Sequence, residues 1–190
     1  MGLLTICMLA ACSLAAGGED IKPTPDELKR YRELCFEMGN ENEATRWRAA
    51  GELMKAGPKA IGPLSEILKG DWLEGRRMVA YMLGEIKHPA AIGPLANALG
   101  DGDFHVRWKA AVSLRNIGAP STEALIGVLA GGNLEARCCA AWALGEIRAP
   151  EAAGPLCRTL ADPDDELATK ARVSLGRLGL AAIEPLTAQL

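Results

Sequence analysis

Six cysteines and two histidines are the residues of this sequence best suited to metal binding or nucleophilic catalysis, and their spacing supports neither. Cys7, Cys12, Cys35, Cys138, Cys139 and Cys157 contain no C-x-x-C pair, and the adjacent Cys138 and Cys139 are hard to bridge to each other geometrically. The interior cysteines read as small apolar residues of a helical core. His88 stands beside Pro89 in a turn and His105 in a first helical turn, so neither shares a ligand spacing with a second donor. Ser-His-Asp, Cys-His, paired-carboxylate and Gly-rich phosphate-binding arrangements are missing from the sequence. The expectation is a chain with no catalytic residue, no metal and no cofactor. Two other sets could do the chemistry of recognition. Arg46, Arg76, Arg107 and Arg137 follow one another at spacings of 30, 31 and 30 residues. Trp47 and Trp108 stand one residue after such an arginine, and Tyr81 and Trp142 five after, which puts all four on one helical face. Trp and Tyr dominate binding hot spots, so this face is a candidate partner contact; packing between neighbouring helices would use the same residues.

These sets need an element that recurs every 30 residues. Seven residues after each arginine comes a leucine (Leu53, Leu83, Leu114, Leu144), and three and four after it come small apolar residues such as Ala110-Ala111. That is a helical stripe. A fifth copy keeps Ala171 and Leu175 but carries Ala168 in place of the arginine. A second landmark keeps the same period: Pro63, Pro94, Pro155 and Pro185, each followed by leucine, open a second helix. Asn42, Asp103, Asn133 and Asp164 stand where the first helix of a copy needs an N-cap, and Trp72 holds that place in copy two. Before the array, Thr24-Pro25-Asp26-Glu27 is a capping box, opening a helix with Leu28, Tyr31, Leu34, Cys35 and Met38 on one side. The sequence predicts an all-α, right-handed α-solenoid of about five two-helix repeats behind an N-terminal capping helix. The capping helix covers 24–41 and the array 42–190, with copies near 42–70, 71–100, 101–131, 132–161 and 162–190.

The copy from Arg137 to Ile147, RCCAAWALGEI, and the one from Arg76 to Ile86 resemble the HEAT-like repeat first noted in phycobilisome lyases. The resemblance covers nearly all of 42–190. It implies a scaffold fold and a structural role for the arginines, each reaching acidic or carbonyl groups in the loop of a neighbouring repeat to form a ladder. It also raises an alternative function, a bilin lyase or its accessory subunit. The His-Glu motifs of the metal-dependent hydroxylases with similar repeats are missing from the sequence.

At the N-terminus, Leu3 to Ala11 is an uncharged apolar run, too short for a bilayer span of about 20 residues and of the length of a secretory signal core. Leu9-Ala10-Ala11-Cys12 resembles the lipobox of bacterial lipoproteins, which implies a diacylglycerol on Cys12; simple secretion, with cleavage after Ala15 or Ala16, and a chance apolar N-terminus are the alternatives. On this reading residues 1–17 are the signal, 18–23 a linker, and the mature chain is exported to a bacterial cell envelope, touching the membrane only through its lipid. A formal charge of −3 shows no footprint for nucleic acid. The expected partner is another protein, its identity unknown. The last helix, with Leu186 and Leu190, ends without a charged outer face, which makes the C-terminal edge a candidate surface for self-association or for the partner.

Overall fold

The computed structural model describes residues 22–183 and residue 187. Cys12, Leu186 and Leu190 lie outside these residues. The described chain is all helix and turn: α1 (Pro25–Glu37), α2 (Glu43–Ala56), α3 (Ile61–Leu68), α4 (Leu73–Ile86), α5 (Ile92–Ala98), α6 (Phe104–Ile117), α7 (Thr122–Gly131), α8 (Leu134–Ile147), α9 (Ala153–Thr159) and α10 (Asp165–Leu178). The even helices from α2 to α10 are the first helices of the five copies, and α3, α5, α7 and α9 the second helices of copies one to four. The result is an all-helical solenoid.

Each first helix begins where the polar cap residue stands. The side chains of Asn42, Asp103, Asn133 and Asp164 accept hydrogen bonds from free backbone N–H groups of α2, α6, α8 and α10. Trp72 holds the same place before α4 without a capping bond; its ring instead packs over Gly75, where a Cβ would lie 2.0 Å from it. The capping box of α1 is complete, the Thr24 amide donating to Glu27 over 2.8 Å and the Glu27 amide to Thr24 Oγ1 over 3.3 Å. The charged residues of α1 are tied to the array: Arg30 and Glu37 reach Glu52 and Arg48 of α2, and Arg32 reaches Glu66 of α3.

The core is one continuous seam. Leu53, Leu83, Leu114, Leu144 and Leu175 of the first helices and Leu64, Leu95, Leu125 and Leu156 of the second are buried, with the small residues three and four after each arginine between them. Small residues let helix axes approach, and the leucines fill the space between layers.

The first helices do not stack evenly. α4 packs most extensively on α6, and α8 on α10; the contact of α6 with α8 is smaller, and that of α2 with α4 slighter still. The cause is a glycine–serine contact repeated 61 residues apart. Ser113 Oγ donates to Ala80 O over 2.8 Å, and a Cβ on Gly84 would lie 2.1 Å from that oxygen. Ser174 Oγ donates to Ala141 O over 2.7 Å, and a Cβ on Gly145 would lie 2.5 Å from it. Copies two and three form one close pair, and copies four and five another. The turns after the first helices alternate likewise. Gly57, Gly118 and Gly179 end α2, α6 and α10 at positive φ with extended ψ, a conformation open only to glycine, whereas Lys87 and Arg148 end α4 and α8 in the left-handed helical region.

Candidate interaction surface

The arginines form a broken ladder. Arg76 Nε donates to Asp101 Oδ2 over 2.8 Å and its Nη1 to Gly70 O over 2.9 Å. Arg137 Nη2 donates to Asp162 Oδ2 over 2.6 Å and its Nε to Leu129 O over 2.9 Å. Each thus ties its repeat to the loop that opens the next. Arg46 and Arg107 do not. Arg46 donates to Asn40 O and Glu41 O, and Arg107 to Asp101 O and Gly102 O, all in the loop before their own helix. This departs from the ladder expected through every repeat. The reason lies in the loops: the position of Asp101 and Asp162 is Gly70 before copy two and Gly131 before copy four. The ties fall only within the two close pairs.

Sequence reasoning missed the acidic partners. Arg77 holds Asp103 through two bonds of 2.9 and 2.7 Å, and the guanidinium keeps that carboxyl well below the ordinary carboxylate range. Asp162 is lowered too, first by the hydrogen bond from the Asp164 amide and then by Arg137. The signal was present as Asp101-Gly102-Asp103 and Asp162-Pro163-Asp164 at the two loops.

The four aromatics are only partly brought together. Trp108 and Trp142 meet across the α6–α8 junction, their ring centroids 4.5 Å apart and tilted by 44°. Lys109 of α6 lies 5.7 Å from the Tyr81 ring centroid on α4, and Arg115 lies 5.9 Å from that of Trp142. Trp47 stands on α2, its indole N–H donating to Glu43. The Trp pair therefore packs neighbouring helices and also faces water: Trp108 is 42% exposed, Tyr81 49% and Trp47 59%. Phe104, 59% exposed and one turn before Trp108, extends the patch; it stands three residues before Arg107, outside the two positions at which the other aromatics recur. Beside Trp142 a groove between α8 and α10 is lined by Lys170, Val173 and Arg177.

Cys138 and Cys157 are buried, and burial pushes the Cys138 thiol up to about 11. Among the described residues no group of three or more His, Cys, Asp or Glu could hold a metal ion, and no helix is long and apolar enough to cross a membrane. At the C-terminal edge, Arg172 is exposed at the place where earlier copies bury Ala80, Ala111 and Ala141.

Comparison with known proteins gives two matching family models, HEAT repeats over residues 61–133 and the PBS lyase HEAT-like repeat over 136–162. No curated protein matches the chain. Among solved structures, the complex of CpcE and CpcF of phycocyanin lyase from Nostoc sp. PCC7120 is 24% identical, with 88% of this chain and 69% of that one covered at a TM-score of 0.49. An engineered protein is 20% identical, with 83% and 84% covered at 0.47. Human deoxyhypusine hydroxylase is 16% identical, with 86% and 91% covered at 0.43.

Proposed function

We propose that this chain, a HEAT-repeat protein, is a non-catalytic scaffold that binds another protein through the exposed aromatic face of its first helices. The observation that carries the reading is the Trp108–Trp142 pair. Two large rings held against each other by rigid helices, with Trp108 still 42% exposed, are pre-organised to be covered by a partner. The test is a photo-crosslinking residue at position 108 in cells, with the same residue at exposed Gly62 of α3 as control. A discrete adduct from 108 alone is expected; equal labelling from both sites, or none, overturns the reading.

The match of residues 136–162 to the PBS lyase HEAT-like repeat favours a second reading, a lyase subunit. Under it, the chain incubated with a linear bilin acquires that pigment's visible absorbance; an unchanged spectrum removes it. The scaffold reading includes export to a bacterial envelope and lipidation at Cys12, supported by the Leu9-Ala10-Ala11-Cys12 sequence. Palmitate labelling unaffected by Cys12→Ser would remove the anchor. It also includes self-association through Leu186 and Leu190, supported by the exposed Leu180 and Ile183 at the same end. Sedimentation as a monomer at all concentrations removes that.

A further inference from the structure

We propose that the exposed face of α6 is a docking site for an acidic peptide segment carrying an apolar anchor; this rests on the scaffold reading and adds the chemistry of the partner. The fourteen residues of α6, FHVRWKAAVSLRNI, contain three basic residues and no Asp or Glu. In a chain of net charge −3 that is a local reversal of sign.

The cations of α6 are not neutralised where they lie. Lys109 and Arg115 have no carboxylate within ion-pair distance among the described residues; their heads rest over the rings of Tyr81 and Trp142. A ring face attracts a cation but leaves its charge in place. Neighbouring first helices differ. Arg77 is paired with Asp103 and Glu74, Lys170 with Glu166, and Arg177 with Glu146. Arg48 of α2, one residue after Trp47 as Lys109 is after Trp108, is paired with Glu37 and Glu52. α2 also has an exposed ring, Trp47, and an unpaired cation, Lys55, but it carries Glu43 and Glu52, whereas α6 sets exposed rings beside positive charge with no carboxylate of its own.

That combination selects the occupant. Phe104, Trp108 and Trp142 offer an apolar seat, with Lys109 lying toward α4 and Arg115 toward α8. Acidic residues on either side of an apolar side chain would meet both cations while the anchor covers the rings, and partial desolvation would strengthen each charge contact. A nucleic-acid backbone is a poorer match, because only a few cations would release counterions.

The experiment uses the full chain and three fluorescein-labelled probes read by anisotropy. One is a short peptide of Glu and Asp interrupted by Leu and Phe, the second has Lys at every acidic position, and the third is single-stranded oligo-dT. The acidic peptide is expected to bind at least about tenfold more tightly than the basic one, to weaken with salt, and to shift the Trp emission. Lys109→Glu with Arg115→Glu should cost about tenfold or more in affinity, whereas Lys69→Glu, an exposed cation at the end of α3, should leave it unchanged. A thermal melt checks that each variant is folded, and Lys109→Gln with Arg115→Gln serves if the reversal is not. Equal binding of both peptides, acidic-peptide affinity unmoved by the α6 variants, or oligo-dT as the tightest ligand each overturns the proposal. A crosslinked partner at position 108 with no preference for acidic peptide would sink this inference and leave the scaffold reading; failure of both would sink both.

Discussion

The α8–α10 junction and the α6–α8 junction join the same kind of helix in the same layer, yet one is closed by absence and the other held open by bulk. Between α8 and α10, Gly145 has no side chain to keep Ser174 away, so the serine hydroxyl reaches a backbone carbonyl of the facing helix at 2.7 Å. Between α6 and α8 the equivalent places hold Arg115 and Ala143, and Trp108 and Trp142 meet elsewhere along the seam with ring centroids 4.5 Å apart. The first junction buries a polar contact and adds the Arg137–Asp162 tie; the second has no carboxylate to receive Arg107 and keeps an apolar surface in water. A solenoid can thus hold stiff and adhesive seams in alternation, because stability comes from some interfaces and leaves others to recognition.

The sharpest way to break this contrast is to put a side chain into the tight seam. Gly145→Ala places a Cβ 2.8 Å from the Ser174 Cα, a backbone atom that cannot swing away. The expected loss is about 1–3 kcal/mol by chemical denaturation. Adding Ser174→Gly should recover part of it, and no recovery would mean the contact is not what limits the approach. Next in size is the arginine comparison. Arg137→Ala strands Asp162 and frees Leu129 O, so the melting temperature should fall by a few degrees, and by more than in Arg107→Ala, which loses carbonyl bonds alone. Equal shifts would erase the distinction between the two kinds of rung.

Acid should act on the same ties. Asp103 and Asp162 have folded-state values below the ordinary carboxylate value of about 4. Their contribution is therefore fully present above that pH and is lost as the pH falls through the lowered folded values. Stability should fall below about pH 4, and the fall should be shallower in Asp103→Asn and in Asp162→Asn; an unchanged slope would show that other carboxylates carry it. The smallest effect sits at the slightest junction. Gly51 of α2 has open space where its Cβ would be, so Gly51→Ala should stabilise by up to about 1 kcal/mol through helix propensity, the opposite sign to Gly145→Ala.

Much of the fold was legible because it depends on short-range rules. The arginine spacing, the leucine seven residues on, and the caps at Asn42, Asp103, Asn133 and Asp164 all follow from helical periodicity and hydrogen-bond supply. What escaped was the doubling of the period. A search at 30 residues treats Gly84 and Ser113 as variation at unrelated positions, and only the close approach of two helices shows that one requires the other. The arginines were visible, but their acceptors were not: Asp101 and Asp162 are remote in sequence and look like ordinary loop residues. The aromatic face was readable from spacing; that Lys109 and Arg115 lie on its rings required the register between helices.

The pairing of copies also constrains how such an array can change length. Deleting copy three alone would bring Arg76 against the loop Gly131-Gly132-Asn133, which offers no carboxylate, and would set Gly84 opposite Ala143 in place of Ser113. Deleting copies three and four together, 61 residues, would instead set Arg76 against Asp162 and Gly84 opposite Ser174, restoring both contacts. For these two contacts the double repeat is the segment that can be excised without a mismatched joint, whereas removing copy three alone leaves one.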